Sequence, residues 1–164
     1  MPHPFDPLSI PGSSGRLIFT PCPGLKDSSI ASALSTLKQA GAEAVITLMP
    51  SAELELNGAA ELPAQCSAAG LTWLHLPVAD EQVPLADFDA AWEASIGQIR
   101  QLLAADRAIA IHCKGGSGRT GLIAARILID QGIARSEAIS LVQALRPKAI
   151  QHPAHAGWIA QFGN

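Results

Sequence analysis

The sequence predicts a single α/β domain, with a mostly parallel central sheet of about four to five strands and helices on both faces. Three observations carry this expectation. Short apolar runs alternate with amphipathic stretches along the whole chain, the pattern of strand–helix–strand units. The run Ala108–His112 contains no charge, as a central strand covered on both faces requires. The chain has 164 residues, 48% of them hydrophobic and 15% charged, enough apolar material for one core. No internal repeat or long linker divides it.

Residues 1–15 are rich in Pro, Ser and Gly and read as an irregular lead-in; residues 16–164 form the expected domain. Arg16–Thr20 is a short strand, broken by Pro21-Cys22-Pro23-Gly24. Ser28 is placed to cap a helix that runs to about Ala40, with Ile30, Leu34 and Leu37 on one face, and Gly41 ends it. Val45–Met49 is a buried strand stopped by Pro50. Ser51–Ala69 suggests one or two short helices. Leu71–Val78 is the next strand. Asp80–Ala86 reads as a loop. Asp87 is placed to cap a helix over Phe88–Ala104, on which Trp92, Ile96, Ile99 and Leu103 share a face. After the Ala108–His112 strand come a Gly-rich loop, a helix over Arg119–Gln131, another over Ser136–Leu145 stopped by Pro147, and a last helical turn or two in His155–Phe162.

Charge narrows the function classes. The formal net charge is -3 and no run of Lys or Arg exists, which argues against a nucleic-acid face and against steady attachment to an anionic membrane. The N-terminal residues lack a basic segment followed by an apolar one, so no secretory signal is expected. The three cysteines (Cys22, Cys66, Cys113) have no metal-type spacing and suggest reduced thiols in a cytoplasmic setting.

The chemistry concentrates in His112-Cys113-Lys114-Gly115-Gly116-Ser117-Gly118-Arg119-Thr120-Gly121. Between a buried strand and a helix start, such a loop turns its backbone N–H groups into a nest for an anion. Gly115, Gly116 and Gly118 permit positive φ and close backbone approach to an oxyanion. Arg119 is placed to grip two phosphate oxygens. The same positive field favours the thiolate of Cys113 as a nucleophile. Thr120 is placed to donate its hydroxyl to the sulfur, and His112 to orient the loop.

Cys113, five residues, Arg119 and Thr120, preceded by His112, resemble the signature of the protein tyrosine phosphatase superfamily. Pro23-Gly24-Leu25-Lys26-Asp27, the Ala44–Met49 strand, Leu76-Pro77-Val78-Ala79-Asp80 and Arg146-Pro147-Lys148-Ala149-Ile150-Gln151 resemble segments of small dual-specificity phosphatases, in particular the kinase-associated (cyclin-dependent kinase inhibitor) phosphatase group and its bacterial relatives. The resemblance spans residues 15–162 and is weakest over 51–69. It implies the cysteine-phosphatase fold and metal-independent hydrolysis of a phosphomonoester through a phosphocysteine, with no cofactor. It also implies that Asp80 is the general acid, with Glu81 the second choice, and that Gln151 helps to position water or phosphate. Many relatives carry a glutamine where this chain has His155.

The implied substrate is a phosphoprotein or phosphopeptide bearing phosphotyrosine, with phosphoserine and phosphothreonine left open. Phosphate, vanadate, tungstate or sulfate would fill the same site. Three other readings stand beside it. Lys114 also follows the cysteine in lipid phosphatases, which motivates a phosphoinositide or inositol phosphate substrate, although Ser117 stands where those enzymes carry a second lysine. A catalytically silent phosphoprotein-binding module would keep the loop without turnover. A rhodanese-like sulfur transferase also places a cysteine before an anion nest, but the Arg119-Thr120-Gly121 ending fits phosphatases better. Cys22 and Cys66 are expected to be packed thiols, either of them a candidate disulfide partner for Cys113 under oxidation.

Overall fold

The computed structural model describes residues 2–25 and 28–164; Lys26 and Asp27 of the Pro23–Asp27 segment lie outside the described residues. The strands are β1 (Asp6–Ser9), β2 (Arg16–Thr20), β3 (Ala42–Thr47), β4 (Thr72–His75) and β5 (Ala108–His112). The helices are α1 (Ile30–Gln39), α2 (Ser51–Leu56), α3 (Leu62–Ala68), α4 (Ala86–Ala104), α5 (Gly118–Asp130), α6 (Arg135–Leu145) and α7 (Pro153–Ile159). The strands form one sheet in the order β1-β2-β5-β3-β4. Among the described residues, only β1 is antiparallel to its neighbour. The expected α/β domain with a mostly parallel sheet is the observed one.

Strand β5 lies in the middle of the sheet and all five of its residues are buried. Its side chains alternate between two separate cores, as the two-residue period of a strand dictates. Ile109 and Ile111 join Leu17, Phe19, Ile46 and Leu74 under α4, α5, α6 and α7. Ala108 and Ala110 join Ile18 and Val45 under α1, α2 and α3. Because both faces are covered, the C-terminal end of β5 delivers the chain to the sheet edge in a fixed direction. The anion loop starts there.

Three expectations need correction. The lead-in is not irregular throughout: β1 pairs with β2 from Asp6↔Phe19 to Ser9↔Arg16. The signal is weak because β1 has four residues, carries Pro7 and buries only Leu8; an edge strand tolerates such a proline. The cap of α1 is Ser29, whose hydroxyl accepts the Ser32 N–H at 3.0 Å, and not Ser28. Asp87 does not cap α4. That helix starts at Ala86, and the Asp87 carboxylate accepts the N–H of Phe88 from within the first turn.

Helix α5 is buried along most of its length, including Gly121. A Cβ built on Gly121 would stand 2.6 Å from the Ala149 Cβ and 3.0 Å from Val142 Cγ1. Helix α5 therefore passes against α6 and the following loop at a distance that only glycine allows. Gly121→Ala gains about 1 kcal/mol of helix propensity but overpacks this crossing, which costs about 1–3 kcal/mol. The expected net result is a lower urea midpoint, measured against wild type at equal denaturant slope.

Candidate active site

The loop from Cys113 to Ser117 joins β5 to α5. Its shape is held from outside. The carbonyl of Lys114 accepts the N–H of Cys22 at 3.0 Å. The carbonyl of Gly116 accepts Arg146 Nε–H at 2.9 Å. Arg146 is itself fixed by Asp6 of β1 at 2.9 Å and lies over the Phe19 ring. With those carbonyls tied to the scaffold, the loop N–H groups remain free of protein acceptors: among the described residues, none from Lys114 to Ser117 donates to another protein group.

One of the three glycines meets the conformational expectation. Gly116 has φ +79, and a Cβ there would lie 2.7 Å from the Thr20 backbone and 2.8 Å from Pro21 N. Gly115 and Gly118 are not in the positive-φ region, and a Cβ at either would meet nothing within 4 Å. The close approach that demands glycine is thus to the β2 end of the scaffold at a single position.

Cys113 is buried, 4% exposed, with its sulfur accepting the Thr120 hydroxyl at 3.2 Å. Beneath it, His112 is fully enclosed. Its Nδ1 lies 2.9 Å from the Cys113 carbonyl, which can only accept, so Nδ1 carries the proton. Nε2 then accepts from the Thr47 hydroxyl at 2.7 Å, and that hydroxyl accepts Trp73 Nε1–H at 2.8 Å. This relay needs a neutral ring, and burial enforces one: it lowers the His112 pKa to about 4.

Arg119 is 3% exposed. Its guanidinium makes a two-pronged contact with Glu53 of α2, both bonds 2.8 Å, and donates to the Val78 carbonyl at 2.9 Å. Burial alone would lower its pKa, but hydrogen bonding to Glu53 and the negative charges of Cys113, Glu53 and Asp80 outweigh it and raise the value. Asp80 Oδ1 approaches Arg119 at 3.4 Å from an exposed position, its side chain 69% accessible. An open cleft of about 430 Å³ is lined by Leu25, Asp80, Cys113, Lys114, Gly115, Ser117, Gly118 and Arg119. The fold thus brings Cys113, the loop, Arg119 and Asp80 to one opening.

A second cleft of about 420 Å³ adjoins the first, sharing Asp80, Gly118 and Arg119 with it. Glu81, Lys148, His152 and His155 line this second opening. Gln151 does not: it is exposed, and its amide donates to the Pro147 carbonyl at 3.2 Å. Two residues that position the site went unread in the sequence. Glu53 falls in the segment of weakest resemblance, and no spacing ties it to Arg119, 66 residues away. Arg146 lies in a resembling segment, but only the fold shows that it grips Gly116. Cys22 and Cys66 are buried free thiols, pushed up to about 12 and about 11 by burial, with the charges of Glu53 and Cys113 adding to the effect at Cys22.

A family described as Tc-R-P, polymorphic toxin system, DSP-PTPase phosphatase, matches residues 23–133, well over half of the chain. The chain belongs to the Tc-R-P family. No curated protein matches it by sequence. Among solved structures, this Tc-R-P phosphatase is similar to kinase associated phosphatase (KAP) with its catalytic cysteine replaced by serine, at 24% identity and TM-score 0.83 over 98% of this chain and 94% of that one. It is similar to human DUSP28 at 20% identity and TM-score 0.65, covering 98% and 94%. It is also similar to PTPMT1 in complex with PI(5)P, at 19% identity and TM-score 0.68, covering 88% of each chain. These likenesses share the fold, and the family makes the Tc-R-P chain a cysteine-based phosphatase of the dual-specificity class.

Two outcomes follow for the Tc-R-P site. Glu53→Ala leaves the buried Arg119 guanidinium without its carboxylate and is expected to cost about 3 kcal/mol in urea unfolding; Glu53→Gln, which keeps an acceptor, should cost less. The second concerns acid. A histidine whose folded pKa lies below its unfolded value of 6.5 leaves the unfolded state binding more protons, so stability falls as pH drops from about 6.5 to about 4. The contribution of His112 across that window is roughly 3 kcal/mol. Comparing unfolding free energies of wild type and His112→Asn between pH 7 and 4 should show a shallower decline in the variant.

Proposed function

We propose that this enzyme hydrolyses phosphotyrosine in proteins, with phosphoserine and phosphothreonine open to the same cleft, through a phosphocysteine at Cys113 and without a metal. The reading rests on one observation: the Cys113 sulfur, the Arg119 guanidinium and the Asp80 carboxyl meet in a single cleft lined by the anion loop.

In the first step the Cys113 thiolate attacks phosphorus. The phosphorus–oxygen ester bond breaks, and Asp80 in its acid form gives its proton to the leaving oxygen. Arg119 and the loop N–H groups hold the equatorial oxygens as charge spreads over them. The two bonds from Glu53 fix the guanidinium plane before substrate arrives, so little reorganisation remains. In the second step water attacks phosphorus, the phosphorus–sulfur bond breaks, and Asp80 takes the water's proton. The Thr120 hydroxyl, 3.2 Å from the sulfur, stabilises the departing thiolate. Lys114 and Ser117 line the same cleft and add a cation and a hydroxyl to phosphate binding. His112 acts on the loop through the Cys113 carbonyl rather than on the substrate.

A second substrate reading has its own support. Lys114 lines the cleft, and PTPMT1, which shares the fold, is described in complex with PI(5)P. A phosphoinositide or inositol phosphate would use the same loop and nucleophile. A cytoplasmic setting agrees with three unpaired thiols, and among the described residues no helix is long and apolar enough to cross a membrane.

Hydrolysis of p-nitrophenyl phosphate in EDTA and reductant tests the chemistry. Wild type is expected to turn over and Cys113→Ser to lose all activity. On a phosphopeptide, Asp80→Asn is expected to lose about 10²–10⁴-fold in kcat. Wild type that binds vanadate or phosphopeptide but releases no phosphate would sink the enzymatic mechanism. Faster phosphate release from PI(5)P vesicles than from phosphotyrosyl peptides would move the substrate to the lipid class.

A further inference from the structure

The loop that carries Asp80 is held by very little. It leaves the sheet after Val78, whose N–H and carbonyl are both fixed, to the Leu48 carbonyl and to Arg119. It is next buried at Pro84. Between those points, residues 79–82 are exposed. The turn contains one internal bond, from the Gln82 N–H to the Ala79 carbonyl. Glu81 sits at φ +60, a left-handed conformation that strains a non-glycine residue. A strained, exposed turn with one internal bond drifts unless something outside fixes it.

Among the described residues, two groups outside the loop reach residues 79–83 by hydrogen bond or ion pair. One is Arg119, 3.4 Å from the Asp80 carboxylate. The other is His155 of α7, whose Nε2 lies 2.9 Å from the Gln82 carbonyl. A carbonyl only accepts, so the His155 ring donates an N–H across the second cleft. His155 is 7% exposed, buried although it lines the second cleft. Its helix is fixed on the scaffold side by Trp158 and Ile159, both packed in the main core.

We propose that His155 is a positioning residue for the proton donor: it latches the loop through the Gln82 carbonyl and so holds Asp80 over the cleft. The proposal rests on the reading of Asp80 as general acid. Among the described residues, His155 makes no hydrogen bond to Cys113 or to the anion loop and does not line the cleft that holds the nucleophile, so it acts through Asp80. Its partner is a backbone carbonyl, so any side chain that places an N–H at the same point performs the task.

This assigns a kinetic signature that a merely structural role does not produce. An activated leaving group such as p-nitrophenolate departs with little need of a proton; phenolate needs one. His155→Phe keeps a planar ring without the donor. Its kcat/KM on phenyl phosphate, which reports the steps up to phosphoryl transfer, should fall by about 10-fold or more, while kcat/KM on p-nitrophenyl phosphate stays within about threefold and vanadate inhibition is unchanged. His155→Gln, which restores an N–H donor, should recover most of the phenyl phosphate rate. In the double variant Asp80→Asn/His155→Phe, the second substitution should cost nothing further, because the acid it positions is gone. His155→Met is a second donor-free variant if the phenylalanine does not fold.

Equal losses of kcat/KM on both leaving groups, or losses that add in the double variant, overturn the latch while leaving Asp80 as the acid. Failure of Asp80→Asn itself to separate the two leaving groups overturns the acid assignment, and the latch with it.

Discussion

The site depends on a constraint at the exit of β5: the Lys114 and Gly116 carbonyls in the loop that follows are satisfied by the scaffold, while the N–H groups from Lys114 to Ser117 are left without a protein partner among the described residues. Two distant parts of the chain meet it. Cys22, just after β2, gives its N–H to the Lys114 carbonyl, and Arg146, just after α6, takes the Gly116 carbonyl. Gly116 lies against the Thr20–Pro21 backbone with no room for a side chain. The loop is thus a cast of its surroundings, which explains why its sequence can be so rich in glycine without being loose. Most of the sheet and α5 exist to bring those anchors to the right place.

Electrostatics then divides into a fixed, buried half and an exposed half. Arg119 belongs to the fixed half, clamped by Glu53 from α2 and by the Val78 carbonyl. Its charge is partly spent on that clamp, a cost offset by a guanidinium that does not need to be ordered by substrate. Asp80 belongs to the exposed half, tied to Arg119 by a contact of 3.4 Å. On the proposed mechanism, nucleophile and oxyanion binder would sit on buried elements and the proton donor on an exposed loop, which suits a donor that must first give and then take a proton. His112 illustrates the rigid part: Trp73, Thr47 and the ring form one chain of bonds that reaches the nucleophile's own carbonyl.

Much of this was legible in the sequence where chemistry is local. The strand–loop–helix unit from Ala108 to Asp130 reads directly, because charge-free β5, the glycines and the amphipathic helix lie in unbroken succession. Strands β2, β3 and β4 read from their apolar runs, with ends differing by a few residues. Strand β1 was hidden because a four-residue edge strand with a proline buries one side chain and so shows no alternation. Glu53, Arg146 and the bond from His155 to Gln82 were hidden for a different reason. Each acts across a gap in sequence, 66, 30 and 73 residues respectively, and only the folded chain brings the partners together. Gln151 shows the converse. It stands next to residues that line the second cleft, but its amide turns back onto Pro147.

The contrast between the thiols has a consequence for how this protein meets electrophiles. Cys22 is held at about 12 and Cys66 at about 11, so at neutral pH both are protonated sulfur in a closed interior. Cys113 alone sits at an opening, with a hydroxyl donating to its sulfur. A mild alkylating probe therefore finds one handle on the native chain, at the floor of the cleft. On the proposed reading, an oxyanion seated in the loop would stand in front of that handle, and labelling stoichiometry would count folded, unoccupied sites.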